Sequence, residues 1–251
     1  MSTQERPKIL FSLPNHDPAT AWWTNAAKNI IPQFLSGKEV DFELLVGEQA
    51  HYSQIHPRMQ KNEFRALGGV GHGNVDKFTG QGYNIIYWTQ NRDYLRELRG
   101  KCFAPVSCLV GNSLLPAMVE EGLGYGVGEM TEYYVLDRTI GSFVRADTVF
   151  WVRLAIGDRA ADAFRVSKET YEEEARLAEQ KGDLVTAKLL RYNAANRASF
   201  GDANWRLKKE AQPPSPPPQP PQPPTQWETY EIEVEIPKTV IRLPVRVRKV
   251  A

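Results

Sequence analysis

Residues 102–129, CFAPVSCLVGNSLLPAMVEEGLGYGVGE, decide the fold. The apolar run over 102–111 reads as a strand. SLLPAMVEEG reads as a helix ending at Gly122, and LGYGVGE as a second strand. A strand, a helix and another strand in so short a stretch form a crossover unit, which belongs to a helix-covered and mostly parallel sheet.

The same alternation runs backwards to the N-terminus. KILFSL (8–13) reads as a buried strand broken by NHDPAT. From Ala19 to Leu35, Trp22, Trp23, Ala26, Ala27, Ile30, Ile31, Phe34 and Leu35 recur at helical spacing, with a kink expected at Pro32. DFELLVG (41–47) is a strand, Glu48 to about Gln60 a polar helical stretch, and EFRALGGVG (63–71) a strand running into glycines. YNIIYWT (83–89) reads as a strand or a buried turn, and RDYLRELRG (92–100) as a short helix closed by Gly100. Forwards, Ser142 to about Ala198 reads as helical and turns at Gly182-Asp183, and ASFGDANWRL (198–207) closes the globular part.

Residues 213–224, PPSPPPQPPQPP, exclude a helix or a central strand and form a polyproline spacer of roughly 37 Å at about 3.1 Å per residue. Beyond it, Tyr230, Ile232, Val234 and Ile236 alternate with Glu231, Glu233 and Glu235. Ile241, Leu243, Val245 and Val247 then alternate with basic residues at Arg242, Arg246 and Arg248. This pattern predicts a hairpin with Glu to Arg cross-strand pairs. Because an isolated hairpin is marginal in water, residues 227–251 are expected to dock on their own domain, another subunit or a partner. The chain thus divides into a domain over 1–210, a proline-rich linker over 211–226 and a hairpin segment over 227–251.

At 251 residues there is room for one sizeable domain plus an appendage. A formal net charge of +1 gives no electrostatic case for binding nucleic acid or an anionic membrane surface. Ile9 to Leu13 is too short for a signal peptide's apolar stretch and nothing approaches a bilayer span, so a cytoplasmic setting is expected. Cys102 and Cys108 suit neither a disulfide framework nor a paired zinc motif.

GGVGHGNVDKFTGQGYN (68–84) places His72 among glycines after an apolar strand. It lacks the Gly-Lys-Ser/Thr of a Walker loop, and it lacks the helix start and later acidic residue of a dinucleotide loop. A second strand ends at Cys108. Neighbouring strand ends would bring a thiol to an imidazole, the side chain able to manage its proton near neutral pH.

An apolar strand ending in His-Gly, a later one ending in Ser-Cys, and then LPAMVEEGLGYGVGE resemble the caspase-like cysteine peptidases, the superfamily of gingipain, clostripain, legumain, separase and caspase. SFGDANWRL is similar to the Gly-Asp-Pro element of the gingipain-like branch, with Ala203 replacing the proline. The resemblance spans roughly residues 8–207 and implies a three-layer α/β/α fold with a mostly parallel sheet. It implies Cys108 as nucleophile, His72 as general acid/base, and an oxyanion hole from the N–H groups of Gly73 and Cys108. It implies a polypeptide substrate, and no third catalytic residue, cofactor or metal is called for. Pro105-Val106-Ser107 depart from the acidic residue that legumain and the metacaspases favour before the cysteine.

Glu129 and Glu132 are candidate substrate contacts that would favour P1 Arg or Lys, with solvated loop carboxylates as the alternative. Trp88, with Tyr87, is a candidate substrate wall or core residue. Cys102 is read as packing, His16 as a histidine at the sheet's carboxyl edge, and His51 and His56 as surface residues. The competing function is a catalytically inactive caspase-like scaffold that assembles through the C-terminal hairpin.

Overall fold

The computed structural model describes residues 6–208, 227–236 and 239–248. The proline-rich linker expected at 211–226 lies outside the described residues.

Residues 6–208 build a six-stranded sheet covered on both faces. In chain order the elements are β1 (Lys8–Leu13), α1 (Pro18–Leu35), β2 (Asp41–Val46), α2 (Tyr52–Met59), β3 (Phe64–Val70), β4 (Lys77–Thr79), β5 (Ile85–Trp88), α3 (Arg92–Arg96), β6 (Cys102–Val106), α4 (Leu114–Glu120) and β7 (Tyr125–Glu129). There follow α5 (Ile140–Ala155), α6 (Ala160–Gln180), α7 (Leu184–Asn196) and β8 (Arg197–Gly201). The sheet order is β2-β1-β3-β6-β7-β8, parallel except for the antiparallel β8.

Period-two alternation sorts each strand's side chains between two cores. From β1, Ile9, Phe11 and Leu13 join Trp23, Ala27 and Ile31 of α1 and Phe150, Trp151 and Leu154 of α5. Leu10 points the other way, with Leu67 and Phe103, toward α2 (Ile55, Met59) and α4 (Leu114, Leu115, Met118). This is the three-layer α/β/α arrangement expected from the sequence. A third apolar cluster, including Phe143, Tyr171, Ala175, Leu190 and Ala194, ties α5, α6 and α7 together. The turn between α6 and α7 falls at Gly182 (φ 79°) and Asp183, whose carboxylate caps α7 through Thr186. Among the described residues no helix is long and apolar enough to cross a membrane.

Several local expectations are corrected. The helical stretch ends at Asn196, close to the 198 the pattern suggested, and Arg197–Gly201 is an unforeseen strand, β8, pairing antiparallel with β7. Residues 83–89 contain β5, which pairs with the short, unforeseen β4 outside the main sheet. His56 is buried, not on the surface. Its Nδ1 lies 2.5 Å from Glu97 Oε2, and its ring stacks on Tyr94 at 4.0 Å. Cys102 is fully buried between its neighbouring strands, as the packing reading expects.

The C-terminal hairpin is a separate unit. Trp227–Ile236 (β9) pairs antiparallel with Thr239–Arg248 (β10). The register sets Glu233 opposite Arg242, as a Glu to Arg pair requires, whereas Glu231 falls opposite Pro244 and Glu235 opposite Val240.

Candidate functional site

The strand order places the site. β1 leads to β2 on one side of it, while β3 lies on the other. At such a switch point the outgoing loops diverge and leave a crevice at the strands' carboxyl ends, where open α/β sheets bind ligands. Asn15-His16-Asp17 follows β1, His72-Gly73 follows β3 and Cys108 follows β6, so three consecutive neighbouring strands deliver these groups to one edge.

Register aligns the two central members. β3 and β6 pair from Ala66↔Cys102 to Val70↔Val106, and the Gly71 N–H continues the ladder by donating to Val106 O at 3.2 Å. Two residues past the last pair come His72 and Cys108, each on the segment that follows its strand. The loop after β3 then folds back. Thr79 N–H and its hydroxyl donate to His72 O at 2.9 and 3.1 Å, and Gly73 bridges to Phe78.

Asp17 holds His72 from the β1 side, with 2.9 Å between its Oδ2 and the ring Nε2. Asp17 is itself fixed as the N-cap of α1, accepting from Ala19 N–H (3.0 Å), Thr20 N–H (3.2 Å) and the Thr20 hydroxyl (2.7 Å), ahead of Pro18 in the first turn. Burial pushes its carboxyl up, but the Thr20 hydroxyl, the His72 ring and the Thr20 N–H outweigh this and hold it below its ordinary value. The sequence reading called for no third residue beside His72 and Cys108; in the structure a carboxylate lies against His72.

Cys108 sits on a strained turn. Leu109, the next residue, has φ 63°, a left-handed conformation that costs a non-glycine residue about 1–3 kcal/mol and clusters at functional sites. The turn is stitched to the end of β7 by Leu109 N–H to Thr131 O (3.1 Å) and Gly111 N–H to Glu129 O (3.0 Å). The thiol accepts from Tyr133 N–H at 3.3 Å, giving it a defined resting position against the loop after β7. Burial pushes the thiol pKa up, and the negative charges of Glu129 and Glu132 add to the rise, against the Tyr133 N–H.

Gly73 packs directly on this turn. A Cβ there would lie 2.3 Å from Ser107 Oγ and 2.6 Å from Cys108 O, so the approach requires glycine. Among the described residues, the N–H groups of Gly73 and Cys108 have no hydrogen-bond acceptor on another residue. The free Gly73 N–H, beside a Cys108 N–H that touches only its own thiol, suits an anionic oxygen.

The proposed substrate contacts separate. Glu132 is exposed, one residue before the Tyr133 N–H that touches the thiol. Glu129 is fully buried, with Oε1 2.9 Å from Arg197 Nε, so it cannot meet a ligand as the sequence reading expected. Trp88 is tied by its Nε1–H to Asp76 (3.1 Å) and lies under Lys77 Nζ (5.3 Å); these contacts are with neither His72 nor Cys108. Tyr87 is core.

The aromatic residue that does meet the site is Tyr83, which sequence reasoning passed over. It stacks on His72 with centroids 5.1 Å apart and meets His16 edge-on at 4.5 Å, with φ 60° and most of its side chain in solvent. Its signal lay in GQGYN, where Gly82 also has positive φ (62°).

No protein-family model matches the chain, and no curated protein matches it. Among solved structures it is similar to the crystal structure of the Arg specific cysteine proteinase gingipain R (RgpB), with a TM-score of 0.48 and 10% identity over 82% of this chain and 49% of that one. It is similar also to the complex of Porphyromonas gingivalis RgpB pro- and mature domains, with a TM-score of 0.47 and 11% identity over 82% of this chain and 50% of that one. The likeness is one of fold, and the chain spans about half the length of each of these structures.

Proposed function

We propose that the protein is a cysteine peptidase in which Cys108 is the nucleophile, His72 the general acid/base and Asp17 the residue that positions His72. The observation that carries this reading is the alignment of Asp17, His72 and Cys108 on the carboxyl ends of β1, β3 and β6, in that order across the sheet.

The chemistry follows from the environments. A thiol with a raised pKa keeps its proton until a base removes it, so attack on a carbonyl needs the imidazole. His72, held by Asp17 through one ring nitrogen, takes the thiol proton on the other as the sulfur–carbon bond forms. The carbonyl oxygen becomes an oxyanion facing the Gly73 and Cys108 N–H groups. Collapse breaks the carbon–nitrogen bond, and the amine leaves with the proton from His72. Water then adds to the thioester, giving a proton to His72, and the thiolate departs and recovers that proton. The substrate is a polypeptide, and Glu132 supplies the negative charge for a basic P1 side chain.

Peptidyl acyloxymethyl ketones bearing P1 Arg, Lys or uncharged residues test this directly. Peptide mapping is expected to place the adduct on Cys108, with buried Cys102 unmodified, and His72→Ala is expected to lose it. No adduct across the whole panel would refute the peptidase and leave the inactive scaffold. Glu132→Gln is expected to slow labelling by the basic probes ~10-fold or more while sparing the uncharged ones, the size of one charge-assisted hydrogen bond; equal slowing of both would exclude Glu132 as the P1 contact.

A further inference from the structure

We propose that His16, Asp17 and His72 form a binding site for a divalent transition metal, suited best to zinc, and that the metal switches off the dyad by occupying His72. The metal site stands on geometry alone; the inhibition rests on the peptidase reading above.

Each of the three residues offers one ligand atom, and these atoms lie within 4.8 Å of one another at the switch-point crevice. Zinc bonds of about 2.0–2.2 Å in tetrahedral array set ligand atoms about 3.3 Å apart. His16 Nε2 lies 3.3 Å from Asp17 Oδ2, and His72 Nε2 lies 2.9 Å from the same oxygen. Both separations are near that spacing.

His16 gives the independent reason to place a ligand here. Its side chain is only 12% exposed, and both ring nitrogens are buried without a hydrogen-bond partner among the described residues. Nε2 is within ion-pairing distance of Asp17 but is not aligned as a hydrogen bond, and that carboxylate already accepts from Thr20 and His72. A neutral imidazole so placed retains a lone pair with nothing to receive it, a costly state for a buried polar atom. A metal ion would satisfy it.

The donor set selects the ion. Two imidazoles and one carboxylate suit zinc and its neighbours, whereas calcium and magnesium prefer oxygen donors throughout. Three protein ligands leave a fourth position for water. The carboxylate and the rings are held in place: α1 N–H groups hold the Asp17 carboxylate, and Tyr83 packs against both imidazoles.

The consequence for His72 is chemical. An imidazole bound to metal through Nε2 keeps its proton on Nδ1 and has no lone pair left for a second. It cannot then accept the Cys108 proton, and Asp17 no longer positions it. Zinc thus competes with catalysis without touching sulfur.

Calorimetric titration of the chelator-treated full chain with Zn²⁺ tests the site. One ion per chain is expected, with affinity lowered at least ~100-fold in His16→Ala and unchanged in Cys108→Ala, a direct ligand outweighing the 10–100-fold cost of losing a supporting contact. His16→Phe, which keeps the ring packing against Tyr83, is expected to behave as His16→Ala does and guards against a folding defect. Absence of binding, or binding indifferent to both His16 variants, would overturn the site. Binding lost in Cys108→Ala would also overturn it, by placing the metal on the thiol. Zinc is further expected to suppress ketone labelling of wild type at concentrations that leave His16→Phe labelled. Labelling indifferent to bound zinc would overturn the inhibition but not the site, whereas zinc binding with no labelling under any condition would overturn the peptidase reading alone.

Discussion

Replacing Arg197 with methionine is expected to lower the free energy of unfolding by about 3–5 kcal/mol, the usual effect of removing one partner from a buried ion pair. The β7–β8 register sets Arg197 opposite Glu129, and its guanidinium lies 2.9 Å from Glu129 Oε1 and 2.5 Å from Asp147 Oδ1 with only 3% exposure. Asp147 also accepts from the Tyr133 and Tyr171 hydroxyls and Trp23 Nε1, whereas Glu129 has no aligned donor. Burial, which outweighs the pull of Arg197, and the charge of Asp147 push the Glu129 carboxyl up to about 8. The sign follows. A carboxyl that binds its proton more tightly in the native state costs nothing below its unfolded value near 4.5. The cost then grows as pH rises toward 8. Without Arg197 it grows further, so Arg197→Met should lose less stability at pH 5 than at pH 8 in urea unfolding. Equal losses at the two pH values would show that Glu129 does not titrate in this window. The cluster matters to the site because Tyr133 spans both, its hydroxyl on Asp147 and its N–H on Cys108 Sγ.

The strands were legible because a strand buried on both faces is a continuous apolar run, and KILFSL is β1 to the residue. His72 and Cys108 were legible because each directly follows such a run. Asp17 was not, although an aspartate before a proline marks a helix cap. Its contact with His72 exists only because β1 neighbours β3, and strand order leaves no trace in apolar periodicity. Glu129 was misplaced for a related reason. At a strand's end it reads as a loop carboxylate, and its partner Arg197 opens a strand that continues from a helix without a break. His56 was misread because its burial comes from Glu97 and Tyr94, on or beside α3 and distant in sequence. Three-residue β4 is too short to show any period.

Gly73→Ala is expected to slow Cys108 labelling at least ~100-fold, since a displacement near 1 Å at a reacting group has that effect. Its Cβ would fall 2.3 Å from Ser107 Oγ, 2.6 Å from Cys108 O and 2.8 Å from Val110 Cγ1, and the second of these is backbone, which cannot rotate away. Either the Cys108 turn or the His72 loop must move, and with it the spacing of the Gly73 and Cys108 N–H groups. Overpacking of this kind lowers stability by about 1–3 kcal/mol, so the protein should remain folded. Gly124→Ala separates the site effect from general damage. Its Cβ would meet Trp205 Cδ1 at 2.4 Å and Lys101 O at 2.9 Å at the amino end of β7, opposite the edge that carries Cys108, so destabilisation with far less loss of labelling is expected. If Gly73→Ala labels within ~3-fold of wild type, or if Gly124→Ala loses as much, then the close approach of Gly73 to Cys108 is packing alone, and donors for an oxyanion must be sought elsewhere along the edge.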